Sequence, residues 1–217
     1  KKDGLSYTYG RKGKWPHAAT AVSDGSKMTY NVKGLLAQKK SPERTLYFSY
    51  DVESRLTKIR ELLPGQKTKR VLEQYSYDGD GGRTRVISDP GTQDQTDRIL
   101  IGDLAETGSL GSVGYVFLGR HRIASFDGNS LRWFLEDHLG SVTDVLDEKG
   151  CSVQKIAYSP WGEIKKIERF GSSKERAWTF FTGKPVDMGT GLVFFGARYY
   201  DPSLGRFISP DTIIPDP

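Results

Sequence analysis

Three carboxylates close to the C-terminal end, Asp201, Asp211 and Asp216, have the type and spacing to do chemistry. Two acids held together, one keeping its proton, can activate water against a carbonyl. The structural alternative is that Asp201 and Asp211 cap turns beside prolines, their side chains bonding nearby backbone amides. Arg198 and Arg206 stand among aromatics next to these acids. A buried bidentate Arg–Asp pair would lock this segment in place. His17, His121 and His138 are scattered, and Asp137-His138 would point to opposite faces of a strand. A zinc site needs several converging ligands, and no such spacing occurs. Cys151 stands alone, so neither an internal disulfide nor a cysteine metal site can form. The glycines of 102–114 lack the spacing of a phosphate-binding loop, and no G-x-S-x-G elbow is present. No cofactor-binding residue and no metal ligand is therefore expected.

The elements that must position these residues read as strands. Hydrophobic residues make up 36% of the 217, aromatics 12%, and there are 25 glycines. Glycine and tyrosine without alanine-rich runs favour strands and turns over helices. Net charge is +5, with basic and acidic residues interleaved, as in Lys165-Lys166-Ile167-Glu168-Arg169. Nucleic-acid binding would call for clustered cations, so no nucleic-acid partner is expected. No run of 18 apolar residues exists, so no insertion into a membrane is expected. The chain starts at Lys1 and stops at Ile214-Pro215-Asp216-Pro217, as a slice of a longer polypeptide would.

Internal repetition organises the first half. Tyr9, Tyr30, Tyr50 and Tyr77 each end a short alternating run and are followed by turn residues, at intervals of roughly 20 to 27 residues. Tyr50-Asp51 and Tyr77-Asp78 are the clearest pairs. Alternation of aromatics with small polar residues suits a strand with one buried face, and Asp or Asn next to it opens a turn. Further strands are expected at 98–101, 113–118, 123–126, 131–135, 142–146, 153–158 and 192–195. Asp89–Asp97 and Glu106–Ser112 read as loops, and Ser172–Trp178 as a short helix capped by Ser172. The expectation is an all-β chain of antiparallel hairpins with at most one short helix.

The second half resembles the RHS repeat-associated core of bacterial RHS/YD-repeat proteins. Asp137-His138-Leu139-Gly140-Ser141 is similar to the family's D-x-L-G-S segment. Tyr158-Ser159-Pro160-Trp161-Gly162-Glu163 is similar to Y-x-P-[YW]-G-E. Thr182-Gly183-Lys184 with Thr190-Gly191-Leu192 resembles T-G-K…T-G-L. Arg198-Tyr199-Tyr200-Asp201-Pro202 with Gly205-Arg206-Phe207-Ile208-Ser209-Pro210-Asp211 resembles R-Y-Y-D-P…G-R-F-x-S-x-D, although Thr212 stands where the family usually has Pro.

The resemblance implies a spiralling sheet that closes as a hollow shell, as also in the animal teneurins. Residues 1–130 would supply YD-repeat hairpins, and 131–217 the core, continuous with the same sheet. The implied function is structural: a shell segment of an exported RHS/YD-repeat protein, encapsulating or presenting a variable C-terminal toxin. One alternative is an aspartic autoprotease region of the parent, with Asp211 as the catalytic candidate. Another is a cell-surface adhesion or glycan-binding module using exposed aromatics. Partners would be the rest of the shell, the C-terminal toxin segment and, through open strand edges, other copies of the chain. The implied location is secreted or on the cell surface.

Overall fold

The computed structural model describes residues 4–10, 16–170 and 180–211. Sixteen strands, from β1 (Tyr7–Tyr9) to β16 (Ile164–Arg169), pair antiparallel in strict chain order into one meandering sheet. No α-helix occurs among the described residues, and the one helical element is a 3₁₀ turn at Phe181–Gly183. The helix expected at Ser172–Trp178 lies outside the described residues.

The hairpins form because the same five-residue turn recurs. At Asp51 the backbone amide donates to the Arg55 carbonyl, and the Ser54 amide donates to the Asp51 carbonyl. The Asp51 carboxylate then accepts from the Arg55 amide at 2.8 Å. Asn31, Asp78, Asp137 and Asp147 repeat this pattern with the amides two and four residues on. This is a type I turn followed by a left-handed residue that makes a bulge. The left-handed position is Gly34, Gly81, Gly140 or Gly150, and at the Asp51 turn it is Ser54. The strand register shifts beside each of these turns, next to Tyr30, Tyr50, Tyr77, Glu136 and Leu146, and again next to Tyr158 beside the similar turn at Ser159.

Each of those tyrosines also ties its hairpin to the one before. The Tyr30 hydroxyl donates to the Ala19 carbonyl, Tyr50 to Leu36, Tyr77 to Leu56 and Tyr158 to Val142, at 2.6–2.9 Å. The Tyr-Asp pair is thus a structural unit: the aspartate closes the turn and the tyrosine pins the preceding strand.

Two expectations need correction. Glu106–Ser112 is not a loop: most of it lies in β10 (Ala105–Gly108) and the start of β11 (Gly111–Leu118). Its polar side chains pair across the strands, with Thr107 Oγ1 2.7 Å from Ser112 Oγ, which a count of Gly and Ser cannot reveal. Nor does all of 131–217 continue one sheet. Residues through Arg169 do, but β17 (Val186–Asp187), β18 (Leu192–Phe194), β19 (Tyr199–Asp201) and β20 (Arg206–Phe207) form a separate four-stranded sheet. Its strands are two or three residues long and bury Val186, Leu192, Val193 and Tyr199 together with Asp187 and Asp201, packing against the long sheet as a plug.

The plug has two cores. Leu192, Tyr199, Leu204 and Ile208 join Leu36, Phe48, Ile59, Leu72 and Val86 of the early strands. Val186, Val193 and Phe180 join Val142, Val145 and Ile156 of the late strands. Full burial of such side chains is worth about 1.5–3 kcal/mol each. The small sheet therefore joins the two ends of the long one and curls it. Between them, over the middle strands, lies a hollow of about 1110 Å³, bordered by Arg98, Tyr115, Arg132, Phe134, Gln154 and Phe180.

Candidate functional site

The seam where the plug meets the sheet wall holds a cluster of buried charged side chains. Arg83 at the start of β8 (Arg83–Ser88) reaches Asp187 at the end of β17, with Nη1 3.0 and 2.8 Å from the two carboxylate oxygens. Its guanidinium also lies 4.3 Å from the Phe194 ring centroid and 3.3 Å from the Tyr199 hydroxyl. Arg98 of β9 (Thr96–Ile101) pairs with Glu106 at 3.1 Å and approaches Asp187 at 3.9 Å. The Tyr115 hydroxyl closes this chain of contacts on Glu106. Glu73 of β7 (Arg70–Tyr77) is wholly buried beside them.

Burial and the neighbouring Asp187 push the Glu73 carboxyl up to about 8, and the Ser88 hydroxyl and Arg98 offset this only in part. Ser88 Oγ donates to Glu73 Oε2 at 2.8 Å, while Oε1 has no hydrogen-bond partner. A Cβ on Gly189 would lie 2.9 Å from that oxygen, so the glycine allows the plug to seat over it.

A second contact group holds the early strands. Lys39 of β4 (Leu36–Lys40) reaches Asp201 at 2.6 Å and the Ser203 hydroxyl at 2.5 Å. Burial alone would raise the Asp201 carboxyl, but Lys39, Ser203 and the Leu204 amide outweigh it and hold the group below the usual carboxylate value. The Leu36 amide donates to the Ile208 carbonyl at 2.9 Å. Arg44 bonds the Gly189 carbonyl at 3.0 Å and Glu61 at 3.1 Å.

The residues singled out in the sequence fall mostly in these turns and at this seam. Tyr77 and Tyr199 meet hydroxyl to hydroxyl at 3.0 Å. Tyr200 donates to the Trp161 carbonyl at 3.0 Å, and its ring stacks on Phe181 with centroids 6.3 Å apart. A Cβ on Gly162 would lie within 2.4 Å of the Phe181 ring, so the Trp161–Gly162 turn fits only because that side chain is missing. Gly183 ends the 3₁₀ turn, while Gly191 and Gly205 donate to the Asp187 and Asp201 carbonyls.

The buried Arg–Asp lock expected of Arg198 or Arg206 is made by other residues. Arg198 pairs with Asp211 at 2.9 Å where more than half of the aspartate side chain is exposed, and it stacks over Phe207. Arg206 donates to the His17 carbonyl at 2.7 Å and to the Tyr9 hydroxyl at 3.2 Å, stitching β20 to the first strands. Both arginines are half-buried at the rim of the plug, with the Arg198 guanidinium over the Phe207 ring and that of Arg206 over Tyr7 and Tyr9. Asp201 is buried and bound by Lys39. Asp216 lies outside the described residues. Asp137 and His138 sit in a turn, not on a strand, with Asp137 bonding the Leu139 and Ser141 amides. Among the described residues no three His, Cys, Asp or Glu side chains converge as metal ligands would.

Glu73, Arg83, Arg98, Asp187 and Lys39 escaped the sequence reading. For Glu73 a signal existed. It shares strand parity with Tyr75 and Tyr77, which places a carboxylate on the aromatic face. Asp187, between Val186 and Met188, carries no comparable mark.

The arrangement has clear parallels among known proteins. The Teneurin YD-shell family model matches residues 117–216. The tRNA3(Ser)-specific nuclease WapA of Bacillus spizizenii is 26% identical over 220 residues, covering the whole of this chain and 9% of that protein. The double-stranded DNA deaminase toxin A of Burkholderia cenocepacia is 33% identical over 81 residues, 37% of this chain and 6% of that protein. In the TcdB2-TccC3-Cdc42 crystal structure the same fold recurs with a TM-score of 0.64 and 20% identity, over 86% of this chain and 12% of that one. The chain spans less than a tenth of the length of these curated relatives.

Proposed function

Since the chain belongs to the RHS/YD-repeat proteins and forms a section of their shell, we propose that it is the closing section, the part that locks the wall around a C-terminal toxin segment of the same polypeptide. The observation that carries this reading is the four-stranded plug, which grips the early strands through Lys39–Asp201 and Leu36–Ile208. It grips the late ones through the Val142 amide, which donates to the Phe180 carbonyl at 3.0 Å. A sheet curled by its own C-terminal segment leaves a hollow on the inside, with Arg98, Arg132 and Gln154 on its wall.

The relatives support a structural role. One is named as a tRNA nuclease and another as a DNA deaminase toxin, two unrelated chemistries, yet both share sequence with this chain. A stretch common to both is better read as the carrier than as either activity. Export to the outside of a bacterial cell, with the remaining shell and the toxin segment as partners, follows from this role. The contacts of the acids favour a structural role: Asp201 is bound by Lys39, and Asp211 pairs with Arg198.

The test uses the full-length polypeptide that carries this section. Its C-terminal region is expected to resist protease in the wild type and to be digested once Lys39→Ala and Arg83→Ala loosen the plug, with circular dichroism confirming that the sheet persists. Equal digestion before and after would overturn the reading.

A further inference from the structure

The seam buries five ionisable side chains from five strands: Glu73 on β7, Arg83 on β8, Arg98 on β9, Glu106 on β10 and Asp187 on β17. Each is less than 7% exposed. Two cations face three acids. Arg83 is spent on Asp187, and Arg98 on Glu106. With Glu73 neutral the charges balance, and with Glu73 ionised one negative charge is left over on a side chain that exposes no surface. Such a charge is costly to hold.

The surroundings of Glu73 offer it little help. Ser88 gives one hydroxyl to Oε2, and Oε1 points at Gly189 of the plug with no donor. Asp187 and Asp89 add repulsion, and Arg98 adds attraction from further off. On the strand beside it Glu61 is held by Arg44 and Arg70, so that acid already has two cations and frees none for Glu73. Arg70 is shared with Asp89 at 2.5 Å. Tyr75, Tyr199 and Tyr115 complete the lining as neutral rings.

We propose that the seam is a proton-operated latch: the plug seats tightly on the wall while Glu73 carries a proton, and loosens when Glu73 loses it. Gly189 and Asp187 both belong to the plug segment, so ionisation strains the contact between the two sheets rather than either sheet alone. The latch presupposes that the plug closes the shell, and it adds the condition under which it does so.

The sign of the effect follows from linkage. An acid raised from 4.5 to about 8 in the seated state favours seating at low pH. The advantage is complete below 4.5 and fades until pH reaches about 8. Within that window plug opening should rise about tenfold per pH unit.

Hydrogen exchange of the intact polypeptide, corrected for intrinsic amide rates, reads this opening at the plug strands Val186–Asp187 and Leu192–Phe194. The wild type is expected to show the rise, and Glu73→Gln, which mimics the protonated acid, to stay flat. The same slope in both, or no slope in the wild type, overturns the latch. Should Glu73→Gln fail to fold, the ¹³C shift of the Glu73 carboxyl in the wild type decides. A midpoint near that of an ordinary glutamate refutes the proposal, and a midpoint close to 8 supports it. These outcomes are separate from the protease test of closure, which would fail or succeed at any single pH.

Discussion

The Arg83 guanidinium and the Asp187 carboxylate meet at 2.8 Å with 1% and 0% of their side chains exposed. They are 104 residues apart in the chain and join the wall to the plug. Their pairing neutralises two charges that would otherwise stay buried without a counter-charge at the seam. The neighbouring rings of Phe194 and Tyr199 hold the guanidinium in that place.

Removing one partner leaves the other charged and buried. Asp187→Ala or Arg83→Ala is expected to cost about 3–5 kcal/mol of stability, measured by chemical denaturation. Replacing both at once by apolar residues of similar volume should recover most of that loss. A double variant as unstable as the two single losses added together would show that the pair does not act as a unit.

The hydroxyls of the repeat tyrosines are expected to contribute separately. Tyr50→Phe keeps the ring but removes the bond to the Leu36 carbonyl, leaving a carbonyl without its donor. The loss should be about 1–2 kcal/mol, with similar values for Tyr30→Phe and Tyr158→Phe. Because these bonds lie in different hairpins, the effects should add.

Ser54 occupies a left-handed position, φ +70°, that Gly34, Gly81, Gly140 and Gly150 fill in the equivalent turns. Ser54→Gly is therefore expected to stabilise the chain by about 0.5–1 kcal/mol in thermal unfolding, as strain is relieved. The opposite change at Gly162 should be severe: Gly162→Ala drives a methyl into the Phe181 ring, and a loss of about 2 kcal/mol or more is expected.

Acid should loosen the early-strand contact. Asp201 is held below the ordinary aspartate value of 3.8 in the folded protein, so its contribution is full above pH 3.8 and is lost as pH falls below it. Asp201→Asn should lower stability at neutral pH and flatten the acid limb of the stability curve. An unchanged acid limb in that variant would remove Asp201 as its source.

Asp211 is paired at the surface with Arg198, and its side chain is 54% exposed. Asp211→Asn is expected to cost no more than about 1 kcal/mol and to leave the processed length of the full polypeptide unchanged on gels. Cleavage that occurs in the wild type and stops in this variant would instead assign the carboxylate to autoproteolysis.

By itself the sequence determined the local architecture. Period-two alternation, the Tyr-Asp and Tyr-Asn pairs, and the glycine that is the fourth residue of most of these turns specify hairpins whose partners are neighbours in the chain. Antiparallel pairing in chain order follows from that. The Arg198 and Arg206 motif marked the right segment but the wrong lock, since both arginines turn outward onto Phe207 and the first strands. Only the tertiary structure decided that Arg83 finds Asp187 and that Lys39 finds Asp201, 162 residues away. It also decided that Glu73 ends beneath Gly189. Those meetings depend on how far the long sheet curls, which sums the twist and the bulge of every hairpin between them. No short window of sequence contains that sum. The plug registers it by closing only where the charges and the two apolar cores coincide.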